Sequence, residues 1–150
     1  MANAQGMCLS FKQELLTGTH VIGTDVLKIA LYNANAAGMQ PATTTAYATT
    51  ISSATEVANS GTYTAGGSTV TFLAPTNNST TTAFTGPTGG STVSWTGFSA
   101  TNFDAALIYN SSKTNKAVSI HTFSAQTITS GTFTITFPAN AAGTAMINLA

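Results

Sequence analysis

Charge is what this sequence has least of. Only 5% of its 150 residues are Asp, Glu, Lys or Arg, against about a quarter in ordinary globular proteins. Arginine is absent, and Lys12, Lys28, Lys113 and Lys116 balance Glu14, Asp25, Glu56 and Asp104 to a formal net charge of zero. A nucleic-acid partner is not expected, because phosphates need a basic stripe to neutralise them. A membrane partner is not expected either, since the basic cluster that anionic lipid attracts is missing. No run approaches the ~18 apolar residues of a membrane helix. Residues 1–6 carry neither the basic nor the apolar region of a secretory signal. Cysteine occurs once, as Cys8. No disulfide can therefore close within the chain, and a lone thiol fits synthesis in a reducing cytoplasm.

Catalytic patterns are scarce as well. His20 and His121 lie far apart, and no G-x-S-x-G elbow is present. No C-x-x-C, H-x-x-x-H or Asp-rich calcium loop points to a metal. The four carboxylates are scattered, so a glycosidase pair would have to come together by folding alone. Asp25 and Asp104 precede two similar segments and read as strand-end turn residues. Gly66-Gly67 is followed by no Lys and opens no helix, so it reads as a turn needing positive φ rather than a phosphate loop. No enzyme activity, cofactor or metal is expected.

What is present is apolar and hydroxyl-rich. Hydrophobic residues make up 43% of the chain, with eight Phe, four Tyr and one Trp, enough to build one core in a domain of this length. Period-two alternation marks strands. Val93 and Trp95 alternate with Thr and Ser, and Val118 and Ile120 with Ala117, Ser119 and His121. In residues 132–137, Phe133, Ile135 and Phe137 alternate with Thr132, Thr134 and Thr136. Residues 25–33 form a strongly apolar run, and Ala145, Ile147 and Leu149 share a face near the end. Turn residues separate the runs at Gly66-Gly67, Asn77-Asn78, residues 86–90, 110–116, Ser130-Gly131 and 138–140. The spacing predicts an all-β chain, an antiparallel β-sandwich of jelly-roll or Ig-like type. A short helix precedes it, with Ser10 as N-cap, Gln13 completing a capping box and Gly18 as the stop. The expected division is an arm with this helix over residues 1–24 and the sandwich over 25–150. His121 is expected to face solvent or a subunit contact. Residues 38–60 read as a long irregular loop or a short helix with an edge strand. Residues 28–33 and 105–110 echo each other, as central strands of one sandwich do.

The order of these segments carries a resemblance. Residues 10–16 (SFKQELL), His20, residues 28–32 (KIALY), 45–47 (TAY), 63–67 (YTAGG), 106–110 (ALIYN) and 133–138 (FTITFP) together resemble a family of small tailed-bacteriophage virion proteins. Ala105 stands where that family suggests an arginine, and residues 50–55 form an extra Ser/Thr-rich insertion. The resemblance implies a virion structural protein made in the host cytoplasm. The expectation is a capsid decoration (cement) protein on the outer surface of the head. It would bind the major capsid protein across capsomer junctions, as a homo-oligomer with a trimer favoured. Phe11, Leu15, Leu16 and Trp95 are the expected capsid or subunit contacts, although the helix can equally cap its own sandwich. Two other readings stand beside it. One is a neck, tail or fibre-attachment component. The other is a carbohydrate-binding module using Tyr32, Tyr47, Tyr63, Tyr109 and Trp95.

Overall fold

A computed structural model describes residues 2–34, 38–78 and 81–149. Among them the elements follow in the order β1 (Gly6–Met7), α1 (Leu9–Leu16), β2 (Leu27–Asn33), β3 (Thr50–Ile51), β4 (Ala54–Thr55), β5 (Ser68–Val70), β6 (Thr76–Asn77), β7 (Ala83–Thr85), β8 (Thr92–Asn110), β9 (Lys116–Thr136) and β10 (Ile147–Leu149). They form a five-stranded sheet in the order β1-β9-β8-β2-β5, a three-stranded sheet β10-β7-β6, and the small hairpin β3-β4. The pairings are antiparallel throughout. The chain is all-β with a short N-terminal helix, as its alternation predicts.

The two echoing segments are neighbours. β2 lies against the last third of β8, with Ile29 opposite Ile108 and Lys28 opposite Tyr109. Ala105 to Asn110 are buried without a break, as are Ile29 to Tyr32. Strands buried on both faces lose their alternation and read as continuous apolar runs. Leu27, Ile29, Leu31, Leu107 and Ile108 are at most 1% exposed, and each contributes roughly 1.5–3 kcal/mol of burial.

Runs that read as separate strands merge. Val93 and Trp95 belong to the same strand as Ala105 to Tyr109, and residues 132–136 continue the strand that starts at Lys116. Ser130-Gly131 is not a chain reversal. It lies where the β8–β9 register shifts, with Ser130 at φ 49°, and such a bulge bends a long ribbon without ending it. The real reversal is at 110–116, where a 3-10 turn over Ser111–Lys113 is capped by the Asn110 side chain and left through Thr114 and Asn115 at positive φ. Asp104, expected at a strand end, lies inside β8 for the same reason: the strand runs on through it.

The helix also begins earlier than its capping box suggests. Cys8 is the N-cap and makes no side-chain cap bond. Ser10 lies inside the first turn, and its Oγ is buried without a hydrogen-bond partner among the described residues. Gly18 does supply the stop, at φ 70° with its N–H on the Leu15 carbonyl. Residues 38–60 hold the β3-β4 hairpin, so the Ser/Thr-rich insertion is a small ribbon laid over β2.

Gly67 marks where the chain turns into β5. It adopts φ 71°, and a Cβ there would lie 1.9 Å from the Ile29 carbonyl oxygen. Relief requires β5 to move off β2. The Gly67→Ala variant is expected to lose at least ~2 kcal/mol of stability, read as a lower urea midpoint at unchanged slope.

Candidate functional site

The four expected contact residues separate into two pairs. Phe11 is fully buried and packs edge-on to the His20 ring, with centroids 4.7 Å apart. Trp95 is 1% exposed, donates from Nε1 to Ser68 Oγ at 2.8 Å and stacks on Phe133. Both are packed inside the chain's own core. A helix of eight residues cannot hold itself together in water, and burying Phe11 is what docks it. Leu15 is half-buried and lines an apolar recess with Ile22, Phe84, Ile147 and Leu149. Leu16 is 90% exposed. Of the four, only Leu15 and Leu16 present apolar surface to a partner.

A polar cluster ties the helix to the sheet. His20 Nε2 is 2.8 Å from Glu14 Oε2, and His20 Nδ1 is 2.9 Å from Asn110 Nδ2. The Asn110 amide also donates to Asp25 Oδ2 at 2.7 Å, while its oxygen accepts from the Ser112 N–H. That orientation makes Nδ1 the acceptor, so the imidazole proton sits on Nε2 and is donated to Glu14. Lys116 pairs with the other Glu14 oxygen, and Lys113 lies 3.6 Å from Asp25. Burial works against the charge of Glu14, but the bonds from Lys116 and His20 outweigh it and lower its pKa. Asp25 is likewise lowered: burial opposes, while the Val21 N–H, Asn110 and Lys113 prevail. Asp25 thus serves the strand-end role expected of it.

A second cluster lies over β2 and β8. Glu56 is 7% exposed. It accepts from the Tyr47 hydroxyl at 2.6 Å, the Tyr63 hydroxyl at 2.8 Å and the Gly66 N–H at 2.6 Å. The Tyr63 oxygen accepts in turn from the Leu31 N–H, and Tyr109 donates to the Gly66 carbonyl. Tyr47 and Tyr109 stack with centroids 4.5 Å apart, and Tyr32 donates to the Ala48 carbonyl. Burial first, and the Glu56 charge second, push Tyr109 up to about 12. Burial raises Tyr32, Tyr47 and Tyr63 as well, with Glu56 adding to each. Tyr32, Tyr63, Tyr109 and Trp95 are at most 3% exposed, which removes them as stacking platforms for sugars; Tyr47 is half-buried. Neither Glu56 nor Asn110 stands out in the sequence as a site. The one available signal is the Y-T-A-G-G run, whose tyrosine and first glycine both reach Glu56.

Asp104 and His121 are also engaged. Asp104 accepts from Asn3 Nδ2 at 2.6 Å. His121 is half-buried rather than solvent-facing; its Nε2 lies 2.9 Å from Ser119 Oγ, and the ring lines an apolar groove with Phe123, Phe137 and Met146. Burial lowers its pKa. A separate open cleft of about 440 Å³ is lined by Asn33, Asn59, Ser60, Ser99 and Thr129 among others. Among the described residues no group of three or more His, Cys, Asp or Glu is placed to hold a metal ion. Comparison with protein-family models, with curated proteins and with solved structures finds no match to this chain.

The Glu56 cluster sets two expectations. Glu56→Gln keeps an oxygen for Tyr63 and Gly66 but turns a donor toward Tyr47, and is expected to cost about 1–2 kcal/mol; Glu56→Leu strands all three donors and is expected to cost about 3–5 kcal/mol. Urea denaturation of the two variants reads this order. The tyrosines add a pH dependence. An unfolded tyrosine ionises near pH ~10, whereas the folded ones hold their protons longer. Their stabilising contribution is complete below that pH and is lost as pH rises through the folded values. Tyrosinate absorbance is therefore expected to rise in one step with loss of the circular dichroism signal, above pH ~10, instead of titrating gradually in the folded chain.

Proposed function

We propose that this chain is a structural protein of a bacteriophage virion, and most concretely a capsid decoration protein that binds the outer surface of the head across capsomer junctions. The single observation that carries the non-enzymatic part is where the ionisable groups go. All four carboxylates and both histidines are hydrogen-bonded within the chain, and all but His121, whose partner Ser119 lies on its own strand, tie separate segments together. On this reading these bonds are structural, holding the groups in place rather than presenting them to a substrate. What faces outward is hydroxyl- and amide-rich, uncharged in sum, and interrupted by a few apolar side chains such as Leu16 and Leu149. Near-zero net charge removes the repulsion that keeps copies of a protein apart. The phage assignment rests on the segment order described above.

On this reading the mechanism is mechanical. Each copy adds contact area across a seam that packaged DNA strains. Association costs offset much of each contact, so the stabilisation accumulates from many copies on one lattice. The test is the number of copies per purified virion, by quantitative mass spectrometry against the major capsid protein. A ratio near one to one, or a simple fraction of it, is expected. A count of a few to a few dozen per particle overturns the decoration reading and assigns the chain to the neck, tail or fibres.

A further inference from the structure

The outer side of β9 carries hydrogen-bonding groups that the chain itself does not use. β9 bonds to β8 along its length; on its other side Thr45 and Ala46 cover Lys116 and Ala117, the Cys8 N–H reaches the Val118 carbonyl, and β1 covers Ser119 and Ile120. The Thr122 N–H reaches Gln5 Oε1 at 3.4 Å, and beyond it no described strand pairs with this edge. The stretch 132–136 is the regular part. Its register against β8 is unbroken, from Thr132 opposite Thr96 to Thr136 opposite Thr92. The Phe137 N–H donates to the Ser91 carbonyl at 2.9 Å. By alternation the N–H and C=O groups of Thr132, Thr134 and Thr136 therefore point away from β8.

The side chains are open on the same edge. Phe133 stacks on Trp95, yet Trp95 is 1% exposed while Phe133 is only half-buried. Ile135 is also half-buried and lines the apolar groove with Phe123, Phe137 and Met146. Backbone and side chains thus both lack a neighbouring strand. Proteins that keep an edge strand single place lysine or proline on it. Residues 117–137 contain no Asp, Glu, Lys, Arg or Pro.

The pattern also says which strand fits. Residues 132–136 read Thr-Phe-Thr-Ile-Thr, the same alternation in both directions. We propose that this edge pairs antiparallel, about a twofold axis at Thr134, with the same edge of a second copy of the chain. Thr132 then faces Thr136 of the second copy, Phe133 faces Ile135, and Thr134 faces itself. Threonine pairs and aromatic–β-branched pairs are favourable cross-strand neighbours, and neither edge brings a charge that repels the other. A twofold contact is self-complementary. The inference concerns the isolated chain in solution and stands apart from the virion reading.

Sedimentation velocity over a dilution series tests it. The wild-type chain is expected to form a dimer. Thr134→Lys and Thr134→Glu each set like charges against each other at the axis and are expected to weaken the dimer by roughly a hundredfold. An equimolar mixture of the two is expected to recover it as a heterodimer, which only a contact of Thr134 with itself allows. Each substitution removes the Thr134–Ser94 hydroxyl contact of 2.7 Å, so circular dichroism checks that the variants fold. Should they not, Thr134→Cys serves instead. The two Cα atoms would lie about 5.5 Å apart, within disulfide span, and Cys8, fully buried, stays out of the reaction. A covalent dimer of this variant on mild oxidation supports the pairing. A wild-type monomer at every concentration, an oligomer indifferent to both charges, or a Thr134→Cys variant that forms no cross-link overturns it.

Discussion

A carboxylate removed from water with no cation beside it has to be satisfied by hydrogen bonds, and Glu56 is under that constraint. The ion pairs among the described residues go to Glu14 and Asp25 instead. Glu56 therefore draws in Tyr47, Tyr63 and the Gly66 N–H. Each of these is tied to something else. Tyr63 holds the backbone of β2 at Leu31, and Gly66 holds β8 through Tyr109. One buried charge thus sets the position of the whole segment between Tyr47 and Gly67 over the central strands. Gly67 then has no room for a side chain, because the chain passes so close to Ile29.

The magnitudes show what such a group does. A hydrogen bond to a charged group contributes roughly 1.5–3 kcal/mol, and the effective cost of burying the ion is several kcal/mol. The net gain over a well-packed apolar replacement is small. The penalty for every arrangement that leaves Glu56 or its donors unpaired is large. Glu56 therefore selects one path for a Thr/Ala-rich segment that has little apolar patterning of its own. The cluster around His20 works differently. Lys113 is one-third exposed and lies 3.6 Å from Asp25, a kind of pair worth ~0–1 kcal/mol. Helix docking there depends on the burial of Phe11 and on Asn110, fully buried, whose amide bonds His20, Asp25 and Ser112.

The strands were legible because alternation and apolar runs are local signals. Phe133, Ile135 and Phe137 could be assigned from the residues beside them, and so could the two echoing segments. The merging of four runs into β8 and β9 was not legible. Ser130-Gly131 has turn chemistry, and only pairing with a partner strand distinguishes a bulge from a reversal. The same holds for the clusters. Glu56 is separated from Tyr47 by nine residues and from Gly66 by ten, whereas His20 and Asn110 are ninety apart. No spacing rule covers these distances. Large apolar side chains such as Phe11 and Trp95 suit both a core and an interface, and no local signal in the sequence separates the two uses.

The scarcity of charge links the interior to the surface. With four carboxylates and four lysines in the chain, every carboxylate is engaged in internal bonding, and little charge remains to discriminate one surface from another. Electrostatic steering, which raises association rates and rejects wrong partners, has almost nothing to act on. Recognition has to come from shape, from hydroxyl and amide hydrogen bonds, and from backbone edges such as that of β9. Contacts of this kind form slowly and depend little on salt, since there are few charges to screen. They suit a protein whose partners are held at high local concentration, such as copies on one lattice, better than one that must find a scarce partner by diffusion. A neutral, charge-poor surface and an unguarded edge are liabilities for a protein that has to stay single in a crowded cytoplasm. For a protein whose end state is a packed assembly, the same two features are the means of association.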